Sequence, residues 1–165
     1  MHHGRSPVTA AVATQWDDSA VADLIARKIR AITSVDFSPI LDDIGQVGQL
    51  DSIKRIQSTK VGPNGDAWAA WSAAYARSGR GRSLMRLSGD LMGDIDYRAI
   101  GSDQVELRAE NPYAARRQFG FSGTDSRGRK ISDPARPYLG LSEDAQRDVG
   151  DIVADHIIAT FNEAA

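Results

Sequence analysis

Hydrophobic positions recur along this chain with two periods, one helical and one alternating, and together they divide it into elements. Val21, Leu24, Ile25, Ile29 and Ile32 share one helical face with Arg27, Lys28 and Arg30 outside it, which predicts a first helix. Asp17-Asp18-Ser19 supplies candidates for its N-terminal cap. Ser38-Pro39 marks a second helix start, with Ser38 as N-cap and Pro39 at the first helical position. Ile40, Leu41, Ile44, Val47, Leu50 and Ile53 form the apolar stripe of that helix. Asp42 and Asp43 occupy its first turn, where the helix dipole favours negative charge. Gly45 and Gly48 interrupt it, and each weakens a helix by about 1 kcal/mol relative to Ala. They either admit another backbone at close range or are simply tolerated.

Beyond residue 60 the pattern shortens. Val61-Gly62-Pro63-Asn64-Gly65-Asp66 is a strong turn signal, followed by Trp68 and Trp71 among alanines. Residues 84–93 read as a short helix with Leu84, Leu87 and Leu91 inward. Residues 95–100 and 104–109 alternate around Gly101-Ser102-Asp103 and predict a hairpin with Val105 and Leu107 on one side. A helical piece at 113–118 leads to Phe119-Gly120-Phe121, then to a polar loop at 123–130. Pro134, Pro137 and Gly140 hold an extended connection. Ser142 caps a last helix carrying Ala145, Val149, Ile152, Val153, Ile157 and Phe161 on one face. Residues 8–14 alternate weakly and suit an edge strand after Pro7. The expected fold is α+β, a small and mostly antiparallel sheet packed with three main helices, the longest at the C-terminus.

Composition narrows the class. A chain of 165 residues fits a single domain over 1–165, with residues 1–7 expected as a flexible N-terminal tail. No apolar run approaches the roughly 18 residues needed to cross a bilayer, and the N-terminus lacks an apolar signal core, so a cytoplasmic origin without membrane contact is expected. The absence of cysteine removes disulfides, zinc thiolates and cysteine nucleophiles. Charge is unevenly spread beneath a net of −2. Residues 77–136 hold 12 basic and 8 acidic side chains, a balance of +4, whereas residues 142–165 hold 1 and 6, a balance of −5. Opposite-signed segments permit head-to-tail contact between copies. Arg outnumbers Lys by 16 to 4, which suits interface pairing but also follows from a GC-rich genome.

Catalytic groups are sparse. His2 and His3 lie in the expected tail, and His156 lies alone within the last helix at no metal-ligand spacing. No Gly-x-Ser-x-Gly elbow, P-loop or His-Glu-x-x-His is present. Asp90, Asp94, Asp96 and Glu106 could serve a metal-dependent nuclease if the fold brought them together, but Asp90 and Asp94 equally suit the polar face of a short helix. The basic loops carrying Arg80 and Arg82, and Arg127, Arg129 and Lys130, can meet phosphate or a protein partner, or remain solvated. Both loops are expected to order only against neighbouring proteins. Asp144, Asp148, Asp151 and Asp155 make an acidic stripe on the last helix, a solvated face or a dock for a basic neighbour.

Three blocks in order carry a family resemblance. They are Gly62-Pro63-Asn64-Gly65-x-x-Trp68, then Pro112-Tyr113-Ala114-Ala115-Arg116-Arg117-Gln118-Phe119-Gly120, then Pro134-Ala135-Arg136-Pro137-Tyr138-Leu139-Gly140-Leu141-Ser142. Their spacing resembles the phage virion morphogenesis family, the tail-completion proteins of Mu-like and P2-like phages. Leu84-Met85-Arg86-Leu87-Ser88-Gly89-Asp90-Leu91 is similar to the family's Thr-Gly-Arg-Leu segment, with Ser88 and Asp90 as variants. Ala70 stands where the family often has Pro, and Phe121 where it commonly has a second Gly. The resemblance implies a non-enzymatic α+β protein at the phage neck or tail terminus, assembled in the host cytoplasm. It implies homo-oligomeric rings, often six-fold, contact with other neck and tail proteins, and no cofactor; the basic loops offer the alternative of lining the channel and touching DNA without reading its sequence. It makes Gly62, Pro63, Gly65, Trp68, Tyr113, Gln118, Phe119, Gly120, Pro134, Arg136, Pro137 and Tyr138 the structural or interface motif. Trp68, Tyr113, Phe119 and Tyr138 are each expected to bury a large area, more as core than as interface.

Overall fold

A computed structural model describes residues 18–77, 84–85 and 90–163. The expectations for residues 1–7, for the strand at 8–14, and for Asp17, Arg80, Arg82 and Leu87 lie outside the described residues.

The architecture starts from a helix laid across a hairpin. Helix α1 spans Asp18–Thr33 and α2 spans Leu41–Lys54. A 3₁₀ turn, Ser38–Ile40, leads into α2, so Pro39 sits one turn earlier than expected. Ser38 does not cap it. Instead the Asp36 carboxylate accepts both the Ser38 backbone N–H at 3.0 Å and its hydroxyl at 2.6 Å, and these bonds hold the Asp36 carboxyl below its usual range.

Leu41, Gly45, Gly48 and Ser52 form the buried face of α2. That face lies on β1 (Ile95–Ile100) and β2 (Gln104–Ala109), an antiparallel pair with the register and three-residue loop expected. Tyr97 and Leu107 are directly opposite each other in that register. A Cβ on Gly45 would lie 2.0 Å from Tyr97 Cδ2, and one on Gly48 would lie 2.8 Å from Leu107 Cδ1. Both glycines therefore serve close approach, and the energy lost in helix propensity is offset by packing against the hairpin. Leu50 departs from the expected stripe and is exposed.

The remaining elements hang on this pair. After α2 a π turn, Arg55–Thr59, ends at left-handed Lys60. Helices α3 (Ala73–Arg77) and α4 (Asp90–Gly93) are short, so the helix expected over 84–93 is represented only by its last turn among the described residues. Helix α5 spans Ala114–Phe119, and β3 (Phe121–Thr124) pairs antiparallel with β4 (Lys130–Asp133). The fold class is α+β as expected, but the strands form two separate hairpins rather than one sheet. The second replaces the polar loop expected at 123–130, and its tip is ordered from within. Asp125 accepts the backbone N–H groups of Arg127 and Arg129, at 2.9 and 2.8 Å, and pairs with the Arg129 side chain.

Helix α6 spans Glu143–Glu163 with Ser142 as its cap, as expected, the Ser142 hydroxyl accepting from Ala145 N–H. It packs on α2 and, nearer its end, on α1. There Lys28 reaches the Phe161 carbonyl and lies 4.2 Å from the Phe161 ring centroid. The core is small and gathers Ile56, Trp68, Met85, Ile95, Ala114 and Tyr138. No helix among the described residues is long and apolar enough to cross a membrane.

Gly45→Ala forces the Tyr97 ring away and should cost about 1–3 kcal/mol in urea unfolding. Gly150→Ala, on α6 with nothing near its would-be Cβ, should stabilise by up to about 1 kcal/mol. Equal gains from both substitutions would refute the close packing of α2 on the hairpin.

Candidate functional site

The three motif blocks, distant in sequence, meet at one junction. In the first, the Gly65 N–H donates to the Gly62 carbonyl at 3.0 Å across Pro63 and Asn64. Pro fits the second position of such a turn, and Gly65 at φ +84° takes the left-handed conformation that follows it. The Gly62 N–H returns to the Asp66 carbonyl, at 2.7 Å, and the closed turn delivers Trp68 into the core. Trp68 Nε1 then donates to the Pro137 carbonyl at 2.9 Å, tying the first block to the third.

The second block meets the third through one amide. Gln118 Oε1 accepts the N–H groups of Tyr138 and Leu139 at 2.9 and 3.1 Å, while its Nε2 donates to the Leu139 carbonyl. The Arg136 N–H donates to the Arg117 carbonyl at 2.8 Å. Gly120 follows at φ +76°, and a Cβ there would lie 2.8 Å from Ala135 N and 2.9 Å from the Asp133 carbonyl. Only glycine admits the 133–135 backbone so close.

Two buried arginines clamp the proline-rich segment from either side. Arg136 is 1% exposed. It donates to the carbonyls of Ala69, at 2.9 Å, and Ala70, at 3.2 Å, and to Asp133 Oδ1 at 3.1 Å, and it lies 4.8 Å from the Trp71 ring centroid. Arg55 is 2% exposed and donates to the carbonyls of Tyr138, at 2.5 Å, and Gly140, at 3.2 Å, and to Asp51 Oδ2. Asp51 in turn accepts the Ser142 N–H and hydroxyl at 2.8 and 2.9 Å, which fixes where α6 begins. Arg55 and Asp51 were not singled out in the sequence, although their i, i+4 spacing on a helix is the signal that could have found them.

The electrostatics of the junction are lopsided. Asp133, 12% exposed, serves three guanidiniums, receiving Arg116 at 3.0 Å and Arg117 at 2.7 Å as well as Arg136. Tyr138 is fully buried and its hydroxyl has no hydrogen-bond partner among the described residues. Burial, with the Asp94 charge second, pushes its ionisation up to about 12.

Two motif aromatics correct the expectation of burial. Tyr113 is 65% exposed and Phe119 79% exposed, whereas Ala114 between them enters the core. Phe121 is also exposed, with the Arg116 guanidinium 4.8 Å from its ring centroid. Pro63, Pro134 and Pro137 shape the backbone around these contacts, and a cleft of about 560 Å³ remains between the Gly62–Gly65 turn and the first turn of α6.

The candidate chemical groups are dispersed. Asp96 pairs with Arg108 and Glu106 with Arg98, Asp94 accepts the Asn111 N–H, and Asp90 heads α4. No group of carboxylates and histidines suited to a metal occurs among the described residues. His156 Nε2 lies 2.7 Å from the Asp36 carbonyl, a boundary contact between α6 and the segment before α2. Arg127 and Lys130 are exposed and make no ion pair among the described residues, whereas Arg129 is held by Asp125.

The model described as the phage virion morphogenesis family matches residues 16–158 of this chain. The putative capsid assembly protein G of Escherichia phage Mu is 29% identical over 148 residues, covering 74% of this chain and 89% of that protein. No solved structure matches.

Asp133→Asn leaves buried Arg136 without its counter-charge and should cost about 3–5 kcal/mol in chemical unfolding. Tyr138→Phe removes a buried hydroxyl without a partner among the described residues and should leave stability at neutral pH unchanged or raised. An unfolded tyrosine ionises near 10 and folded Tyr138 near 12, so between those values the unfolded chain alone has lost the proton. Stability should therefore fall as pH rises through that window, and Tyr138→Phe should remove this part of the fall in alkaline melting curves.

Proposed function

The chain belongs to the phage virion morphogenesis family, and from that premise we propose that it is a structural, non-enzymatic protein of the particle, acting in tail completion or head–tail joining. The observation that carries this reading is the division of labour at the junction. Its Arg136, Arg55 and Gln118 are spent on holding backbone, while Tyr113 and Phe119 of the same motif stand out in water. Exposed aromatics on a braced scaffold are what a binding surface requires. A catalytic site would instead need convergent groups left free to react. The motif resemblance supports a place at the neck or tail terminus of the virion and assembly of several copies into a ring. It also supports contact with other neck and tail proteins. Arg127 and Lys130, exposed on the second hairpin, could touch DNA in the channel without reading its sequence. No cofactor enters this reading.

Disruption of the gene in the phage or prophage that carries it should leave DNA-filled heads beside separate, over-long tails in electron micrographs. Restoring the intact gene should recover joined particles. Normal, infectious virions from the disrupted phage would sink the assigned role.

A further inference from the structure

The second hairpin separates its two faces by chemistry. In its register Ser122 lies opposite Ser132 and Thr124 opposite Lys130, while Phe121 lies opposite Asp133 and Gly123 opposite Ile131. Side chains alternate across a strand, and directly opposite residues share a face. One face therefore holds three hydroxyls and a lysine, and the other holds Phe121, Ile131 and Asp133. Helix α5 takes the second of these, because the Arg116 guanidinium lies 4.8 Å from the Phe121 ring centroid and 3.0 Å from the Asp133 carboxylate. The first stands open. Ser122, Thr124, Lys130 and Ser132 are all exposed, and their side chains make no hydrogen bond or ion pair among the described residues.

The carboxylates of this hairpin are already committed. Asp125 holds the tip, accepting the backbone N–H groups of Arg127 and Arg129 and pairing with the Arg129 side chain. The Gly128 N–H closes the turn onto the Asp125 carbonyl at 3.0 Å, with Gly128 at φ +77°. Asp133 is taken by Arg116, Arg117 and Arg136. Arg127 and Lys130 are left with positive charges that no carboxylate of the hairpin opposes.

The open face lacks a large apolar side chain, so it cannot supply the buried anchor on which a protein interface is centred. It also lacks an aromatic ring for an unstacked base, since Phe121 belongs to the other face. What it offers is hydroxyl donors and cations, the groups that meet phosphate oxygens without reading sequence. The chain as a whole carries a net charge of −2, so a polyanion is attracted only by a local surface of this kind.

We propose that the Ser122, Thr124, Lys130 and Ser132 face of the second hairpin, with Arg127 at its tip, docks on the phosphate backbone of duplex DNA. The hydroxyls donate to phosphate oxygens, and the two cations displace counterions. The contact rests on the reading of the chain as a neck or tail-terminus protein for its occasion in the particle, and it adds to that reading a defined surface.

Fluorescence anisotropy of a short labelled duplex of arbitrary sequence, titrated with the full chain at several salt concentrations, tests it. The unaltered chain should bind, with log affinity falling linearly against log salt. Arg127→Gln with Lys130→Gln should weaken binding about tenfold or more at low salt and make that slope shallower by about 2. Thr124→Ala with Ser132→Ala should weaken binding with the slope unchanged, which charge attraction alone does not produce. Arg98→Gln, at an exposed arginine of the first hairpin, should bind as the unaltered chain does. All these positions are exposed, and matching thermal melts confirm the folds. Four results would each overturn the contact. They are no binding at low salt, an unchanged slope in the Arg127 and Lys130 variant, an equal loss in Arg98→Gln, or polyglutamate displacing the duplex as readily as unlabelled duplex does. The last would make the face a dock for an acidic protein. Failure here leaves a joining defect in the disrupted phage untouched, and normal virions from that phage would leave DNA binding by the hairpin standing, so the two readings fail separately.

Discussion

A guanidinium taken out of water must find acceptors for its donors, and two such groups organise this protein. Desolvating an ion costs several kcal/mol unless its partners are in place. Arg136 finds them in Ala69, Ala70 and Asp133, and Arg55 finds them in Asp51, Tyr138 and Gly140. Most of these acceptors are backbone carbonyls. The arginines therefore do for the irregular 133–142 segment what a neighbouring strand does within a sheet. Pro134 and Pro137, which lack N–H donors, cost the segment nothing because side chains supply its hydrogen bonds. Trp68, Gln118 and Gly120 then close the junction around it.

From that junction the rest follows outward. Asp51 couples Arg55 to Ser142 and so sets where the longest helix starts. Gly45 and Gly48 let α2 settle onto the first hairpin, and Gln49 adds a bond to the Ile95 carbonyl at 2.7 Å. What this economy leaves uncovered is specific. Phe119 and Tyr113 beside α5 and the apolar residues of α1 stand exposed, while the buried arginines and Gln118 find their partners.

Much of this was legible in the sequence where the physics is local. The hairpin over 95–109, the turn at Gly62-Pro63-Asn64-Gly65 and the Ser142 cap depend on neighbours a few residues away, and each stands as expected. The choice between close approach and mere tolerance at Gly45 and Gly48 depended on Tyr97 and Leu107, some fifty residues on, so the pattern left it open. The Ser38 cap misled because the Asp36 carboxylate, two residues earlier, takes the Ser38 N–H and hydroxyl as donors. Residues 123–130 looked like a polar loop because their strands are only four residues long and Asp125 organises the tip. The family motif brought the right residues to notice, but the expectation that Tyr113 and Phe119 are buried followed only from their size. Which aromatic faces inward is decided by the direction of α5, and that is set by Gln118 and Gly120 together.

The junction should already be finished in the free chain, and assembly should cover the exposed aromatics beside α5. Hydrogen exchange of the free protein against the same protein in assembled particles measures both halves at once. Backbone amides of 134–142 should be protected equally in the two states, while the region of residues 113–121 should gain protection on assembly. Protection that instead rises at 134–142, with α5 unchanged, would show that the junction itself is the surface assembly completes and would contradict the proposed function.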